Sequence, residues 1–188
     1  MRMLIASDLH GSYSSLEYLI NAISELKPEM LVLLGDLVYH GPRNPLPAGY
    51  DTQSILNDIH KLTKVPITAV RGNCDAEVDI SQMPFPMPDY AWINVDNLQI
   101  LACHGHHLPE RAPLPGIPEG VVVLRGHTHI PRGETDGGAH FWNPGSITLP
   151  KSGFPRSFAI YENGIFKVQD LNGREILRHQ PLKNLIHS

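Results

Sequence analysis

The sequence predicts an α/β chain in which two sheets pack face to face between outer helices, a four-layer α/β/β/α sandwich. Three observations carry that expectation. Unalternated apolar runs at 2–7, 30–34 and 66–70 are separated by stretches of helical spacing, the grammar of a largely parallel or doubly covered sheet. After residue 80 the helical spacing gives way to short strand-like runs divided by turn residues. No repeat or linker separates the halves, so residues 1–188 read as a single domain.

The first expected strand, 2–7, ends on Asp8, His10 and Gly11. Ser14 and Glu17 have capping-box spacing, and Leu16, Leu19, Ile20, Ile23 and Leu26 continue one helical face until Pro28 stops it. MLVLL at 30–34 is a buried strand that ends on Gly35 and Asp36. Residues 52–64 set Ile55, Leu56, Ile59 and Leu62 on a second helical face before the strand 66–70 reaches Arg71, Gly72 and Asn73. In the second half, 91–95 and 98–103 flank Asp96 and Asn97 as a hairpin that feeds His104, Gly105 and His106. VVVL at 121–124 precedes Gly126, His127, Thr128 and His129. Beyond a glycine turn at 137–138, strands are expected near 139–143, 157–162, 165–169 and 174–178, with Asn163-Gly164 as a two-residue hairpin turn.

Composition narrows the function classes. With 41% hydrophobic and 18% charged residues the chain is neither disordered nor an extended charged coil. No apolar run approaches the length of a membrane span, and MRMLIASDLH acquires Asp8 and His10 before a signal-peptide core is complete. The net charge is −4, and residues 1–94 hold 6 basic against 11 acidic groups. No basic stripe or aromatic platform interleaved with basic residues therefore marks a nucleic-acid partner. An acidic chain still acts on phosphate esters when its pocket holds cations. Cys74 and Cys103 fit free thiols in a reducing, cytoplasmic setting better than a disulfide framework.

The chemistry lies in where metal-capable residues fall. D-x-H (Asp8, His10), G-D (Asp36), G-N (Asn73), H-G-H (His104) and G-H-T-H (His127, His129) each follow directly on an expected buried strand. The carboxyl ends of neighbouring strands converge on one sheet edge, so five segments can deliver ligands to one point. Inside D-x-H and H-T-H, residues two apart on extended backbone project to the same side. Seven mixed oxygen and nitrogen ligands are too many for one tetrahedral zinc but suit two divalent ions, with Asp36 able to bridge. Such a set accepts Mn²⁺, Fe²⁺, Zn²⁺ or Ni²⁺.

These motifs resemble the calcineurin-like metallophosphoesterases, in their small single-domain YfcE-like phosphodiesterase subgroup. The resemblance is carried by SDLHG (7–11), LGDLVYHGPRNPLP (34–47), RGNCD (71–75), CHGH (103–106), RGHTHIP (125–131) and NPGS (143–146). It implies the α/β/β/α sandwich, with Asp8, His10 and His129 holding a first metal, Asn73, His104 and His127 a second, and Asp36 between them. It also implies phosphodiester hydrolysis by a metal-activated water, with Mn²⁺ first among the ions and Mg²⁺ compatible. Phosphomonoesterase or protein phosphatase activity on the same site is the nearest alternative. A protein-interaction scaffold like the retromer subunit of this fold is the alternative from another class.

Other residues are less determined. Many relatives carry histidine after the G-N asparagine, where this chain has Cys74, and a thiol matches poorly the acid role of an imidazole. Cys74 and His40 are nevertheless candidates for substrate contact, the latter from the extended G-D motif. Arg43 could hold a phosphate oxygen, His106 could face the pocket, and Asp75 could accept a histidine N–H and fix its tautomer. NPGS could aim a backbone carbonyl and amides at the site. The expected partner is a small phosphodiester substrate, and the apolar Pro-rich stretches leave room for a homo-oligomer.

Overall fold

The computed structural model describes residues 1–111, 114 and 116–181. In chain order the strands are β1 (Arg2–Ala6), β2 (Met30–Leu33), β3 (Ile67–Ala69), β4 (Tyr90–Val95), β5 (Leu98–Cys103), β6 (Val122–Arg125), β7 (Arg132–Asp136), β8 (Ala139–Asn143), β9 (Ser157–Glu162), β10 (Ile165–Asp170) and β11 (Glu175–His179). The helices are α1 (Tyr13–Leu26), α2 (Thr52–Asp58) and α3 (Glu77–Ile80). One sheet has the order β11-β10-β9-β1-β2-β3 and the other β4-β5-β6-β8-β7.

Two parallel blocks position the site. In the first sheet β1, β2 and β3 run parallel, with Met3 opposite Met30 and Leu31 opposite Ile67, so Asp8, Asp36 and Asn73 emerge from the same edge. In the second sheet β5, β6 and β8 run parallel, with Ile100 opposite Val122 and Val122 opposite His140, so His104, His127 and Asn143 emerge together. Met3, Ile5, Val32, Val70, Val122, Leu124, Trp142 and Phe166 fill the space between the sheets. That packing brings the two edges against each other. Helix α1, the α2 segment and Ile80 of α3 cover the outer face of the first sheet through Leu16, Leu19, Ile55 and Leu62. The outer face of the second sheet is covered among the described residues by Leu108, Leu114 and Ile117 of a Pro-rich loop.

Several local expectations shift. The capping box does not form: α1 starts at Tyr13 with Ser12 in the cap position, and the Ser12 hydroxyl donates to the Ala48 carbonyl. Lys27 ends the helix in the left-handed region (φ 48°), one residue ahead of Pro28. The second helix tightens after Asp58 into a 3-10 segment, Ile59–Lys64. Strand β7 was not anticipated because RGETD has no apolar face. It is an edge strand, and its charged side chains disfavour pairing with another chain there.

The edges of the two sheets are joined by a directional hydrogen-bond chain. Trp142 Nε1–H donates to His179 Nδ1 at 2.8 Å, which leaves the proton of a neutral His179 on Nε2, facing Thr135 Oγ1 at 3.1 Å. The Thr135 hydroxyl then donates to His140 Nδ1 at 2.8 Å. The chain requires both imidazoles neutral, and burial lowers the pKa of each, with His140 adding to the effect on His179 and Glu134 opposing it. A folded pKa below the ordinary 6.5 means that this stability is complete above that value and lost as pH falls through the folded pKa. Melting in EDTA at pH 7.5 and 5.5 should therefore show a larger acid loss for the wild type than for His179→Phe. The expected difference is about 2–4 °C, the shift that about 1 kcal/mol makes in a domain of this size. Equal acid losses would remove the chain from the stability account.

Candidate metal centre

The strand ends leave regular geometry abruptly. Asp8 (φ 60°), His10 (φ 49°), Asp36 (φ 55°), His127 (φ 66°) and His129 (φ 60°) all occupy the left-handed region, which side-chain-bearing residues rarely adopt. Five such residues at one locus mark stored strain of the kind found at functional sites. They also correct the expectation of extended D-x-H and H-T-H segments. His127 and His129 do not share a partner: the His129 ring lies 5.0 Å from that of His10, and the His127 ring 5.1 Å from that of His104. Two glycines allow the crowding. A Cβ on Gly72 would lie 2.1 Å from Asp36 Oδ1, and one on Gly126 would lie 1.9 Å from Ser7 Oγ.

Three groups of ligand-capable atoms result. His10 Nε2 is 3.2 Å from His129 Nε2, and Asp8 Oδ1 is 3.3 Å from His129 Nε2 and 3.7 Å from His10 Nε2. Asp36 Oδ2 lies 3.7 Å from His10 Nε2 and 3.3 Å from His104 Nε2, between the two histidines. His104 Nε2 is in turn 3.1 Å from Asn73 Oδ1. Asp8, His10 and His129 form one group able to hold a cation, His10, Asp36 and Cys74 a second, and Asp8, Asp36 and His104 a third.

Hydrogen-bond polarity tests whether cations fit. His10 Nδ1 faces the Tyr39 carbonyl at 3.1 Å, His104 Nδ1 faces the Leu34 carbonyl at 2.6 Å, and His129 Nδ1 faces the Leu149 carbonyl. A carbonyl only accepts, so each Nδ1 carries the proton and each neutral ring turns its Nε2 lone pair into the cluster. The lone pairs of His10 and His129 then point at one another, and both oxygens of fully buried Asp8 lack a hydrogen-bond partner. Buried unpaired acceptors are costly. A proton or a metal cation has to stand among them, so the donor set fits divalent ions.

Protonation in the metal-free protein agrees. Burial disfavours the imidazolium of His104, but Asp36, Asp8 and the Leu34 carbonyl outweigh it and hold the pKa up at about 9. His10 is raised in the same way by Asp8, Asp36 and the Tyr39 carbonyl against its burial. Against their own burial, Asp8 is held well below the carboxylate range by His10 and His129, and Asp36 is lowered by His104 and the Cys74 amide. Metal binding must displace those protons, so affinity should rise with pH.

The supporting residues have defined tasks. Among the described residues Asp75 contacts no histidine N–H. Its buried carboxylate accepts the backbone amides of Asp36, Leu37 and Gly72, each at 2.8 Å, and so clamps the G-D and G-N strand ends together. Burial raises its pKa even against those amides, with Asp36 adding to the effect. In NPGS, Asn143 Nδ2 donates to the Gly126 carbonyl at 2.8 Å and Ser146 Oγ donates to the Asp8 carbonyl at 2.9 Å. The Thr148 and Leu149 amides donate to Ser146 Oγ, which sets the Leu149 carbonyl against His129. Sequence reasoning singled out NPGS without a role for the Ser146 hydroxyl, and it passed over the three carbonyl anchors, since backbone groups carry no sequence signal.

The remaining candidates separate. Cys74 lines the cavity beside the cluster, and burial with the Asp36 carboxylate pushes its thiol up to about 12. Cys103 is buried and its thiol is pushed to about 12 by burial. His40 stands outside the ligand groups, its ring edge-on to Tyr39 and Tyr50 at 4.8 and 5.3 Å. His106 lies 5.4 Å from the His104 ring, and burial with the neighbouring histidines lowers its pKa to about 4. The cavity has a volume of about 940 Å³ and is walled by Tyr39, Arg43, Arg71, Glu110 and Lys151 besides the cluster.

The chain is 35% identical to phosphodiesterase YfcE of Escherichia coli over 179 residues, covering 94% of this chain and 96% of that protein. It is 28% identical to the probable metallophosphoesterase YsnB of Bacillus subtilis over 193 residues, covering 94% and 95%. The solved structure of the E. coli YfcE phosphoesterase superposes with a TM-score of 0.89 over 96% of this chain and all of that one, at 33% identity. At the level of fold alone, Vps29 of Entamoeba histolytica matches with a TM-score of 0.57 at 20% identity, covering 89% of this chain and 90% of that one. None of the helices among the described residues is long and apolar enough to cross a membrane. Residues 1–164 match the calcineurin-like phosphoesterase superfamily domain, and the chain belongs to that family of phosphoric ester hydrolases.

Proposed function

We propose that the chain acts as one catalytic domain, a binuclear metal-dependent phosphodiesterase. The observation that carries the reading is the convergence of the His10, His104 and His129 Nε2 atoms on the unpaired Asp8 carboxylate and on Asp36. Asp8, His10 and His129 would hold one divalent ion, Asn73, His104 and His127 the other, and Asp36 both. When bound, the ions supply charge to the phosphoryl oxygens and lower the pKa of water. Mn²⁺ is the proposed assay ion, with Zn²⁺, Fe²⁺, Ni²⁺ and Mg²⁺ compatible. The two free thiols support a cytoplasmic, reducing setting.

The chain's own groups then decide the ester class. Cys74 lines the cavity at a position where an imidazole would be the better proton donor, and a thiol is a poor match for that role at the leaving oxygen. A monoester dianion carries more charge and a further terminal oxygen, for which a site without imidazole at position 74 is poorly furnished. A diester monoanion needs less. The substrate reading also draws support from the 35% identity to a phosphodiesterase.

The test is kcat/KM with Mn²⁺ at neutral pH for a p-nitrophenyl diester and its matched monoester. The diester should be preferred, and Cys74→His should narrow the gap by improving the monoester reaction. A wild-type preference of tenfold or more for the monoester, about 1.4 kcal/mol in transition-state stabilisation, would replace the reading with a phosphomonoesterase.

A further inference from the structure

The cavity is far larger than a phosphoryl group requires, and falls in the range of sites for whole small molecules. Cations on two different chain segments line it. The Lys151 amide donates to the His129 carbonyl at 3.3 Å, which sets this exposed lysine beside the Asp8, His10 and His129 group. Arg43 belongs to a turn closed by the Asn44 amide on the Gly41 carbonyl at 3.3 Å and by Asn44 Nδ2 on the His40 carbonyl at 2.9 Å. A Cβ on Gly41 would lie 2.9 Å from Cys74 Sγ, so this turn abuts the Asn73 and Cys74 end. Both side chains line the cavity, and neither forms an ion pair among the described residues. The third cation of the wall, Arg71, is engaged by Glu77 at 2.7 Å. Of the acidic wall residues, Asp36 and Asp75 are buried, and Glu110 remains.

We propose that Arg43 and Lys151 are specificity-determining residues that select phosphodiesters bearing a further anionic group, a carboxylate or a second phosphate, on an ester arm. The inference rests on the phosphodiesterase reading and names its substrate class. The two arms of a diester leave phosphorus in different directions, and the two cations come to the cavity from different segments, Arg43 from the turn beside Cys74 and Lys151 from the segment bonded to His129. A guanidinium offers paired N–H donors to either anion, and an ammonium offers a compact charge. Partly exposed pairs of this kind are individually weak, so the preference they give together should be about tenfold at most.

Three p-nitrophenyl diesters test it, with a propyl arm, an arm ending in carboxylate and an arm ending in phosphate, each assayed with Mn²⁺ at low and high KCl. The wild type should prefer an anionic arm by up to about tenfold in kcat/KM, chiefly through KM, and lose the preference in high salt. Whether carboxylate or phosphate is favoured identifies the anion. The Arg43→Met/Lys151→Met double variant should bring the ratio near one, and Lys64→Met, outside the cavity wall, should keep the wild-type ratio. Equal use of all three arms, or a preference that survives in the double variant, overturns the subsite and leaves the phosphodiesterase reading standing. Hydrolysis of p-nitrophenyl phosphate with no turnover of any diester overturns both.

Discussion

Asp36→Asn should bind fewer than two divalent ions per chain and lose at least about 100-fold in phosphodiesterase rate, more than Cys74→Ser loses. Changes in groups that merely orient ligands already cost about 10–100-fold, and Asp36 is placed to be a ligand itself. Its Oδ2 stands 3.7 Å from His10 Nε2 and 3.3 Å from His104 Nε2, and its Oδ1 accepts the Cys74 amide at 2.8 Å. Asparagine keeps the shape and removes the charge between two cations. Elemental analysis after reconstitution, with kinetics at saturating Mn²⁺, decides the matter. A well-folded wild type that saturates at one ion would sink the binuclear proposal, and an equal or greater loss in Cys74→Ser would require a direct role for the thiol.

Asp75→Ala should lower stability by about 3 kcal/mol or more and weaken metal binding together. The substitution strands the amides of Asp36, Leu37 and Gly72, and an unpaired buried donor costs about 1–3 kcal/mol. The same amides belong to the strand ends that present Asp36 and Asn73, so loosening them separates those two side chains. Asp75→Asn keeps one carbonyl acceptor and should fall between the wild type and alanine. Urea unfolding in EDTA measures the first effect and Mn²⁺ titration the second. An alanine variant that unfolds like the wild type, or loses stability with metal affinity unchanged, would remove the clamp.

Much of this was legible because short-range rules governed it. MLIA, MLVL and VVVL are continuous apolar runs, and each is followed at once by polar residues that a sheet edge can gather. Asn163-Gly164 takes positive φ at both positions (52° and 82°), as a two-residue hairpin turn demands. Strand β7 escaped notice because an edge strand needs only backbone pairing, and RGETD shows no buried alternation. The capping box failed because Ser12, held by the Ala48 carbonyl, took the cap position that Ser14 was expected to fill.

From the sequence alone came the α/β class, the positions of most strands along the chain and the residues able to bind metal, because hydrophobic period and donor chemistry are properties of neighbouring residues. Only the tertiary structure decided by what geometry those donors meet in the groups that the resemblance implies. The left-handed backbone at Asp8, His10, His127 and His129 replaces the expected extended segments, and it sends His129 toward His10 but His127 toward His104. The Nε2 lone pairs turn inward because the carbonyls of Leu34, Tyr39 and Leu149, on three different segments, engage Nδ1. Asp75 left the imidazole role suggested for it because three amides from two strand ends reach its carboxylate first. Such pairings depend on distances between chain segments far apart in sequence, and the packing of one sheet on the other sets those distances.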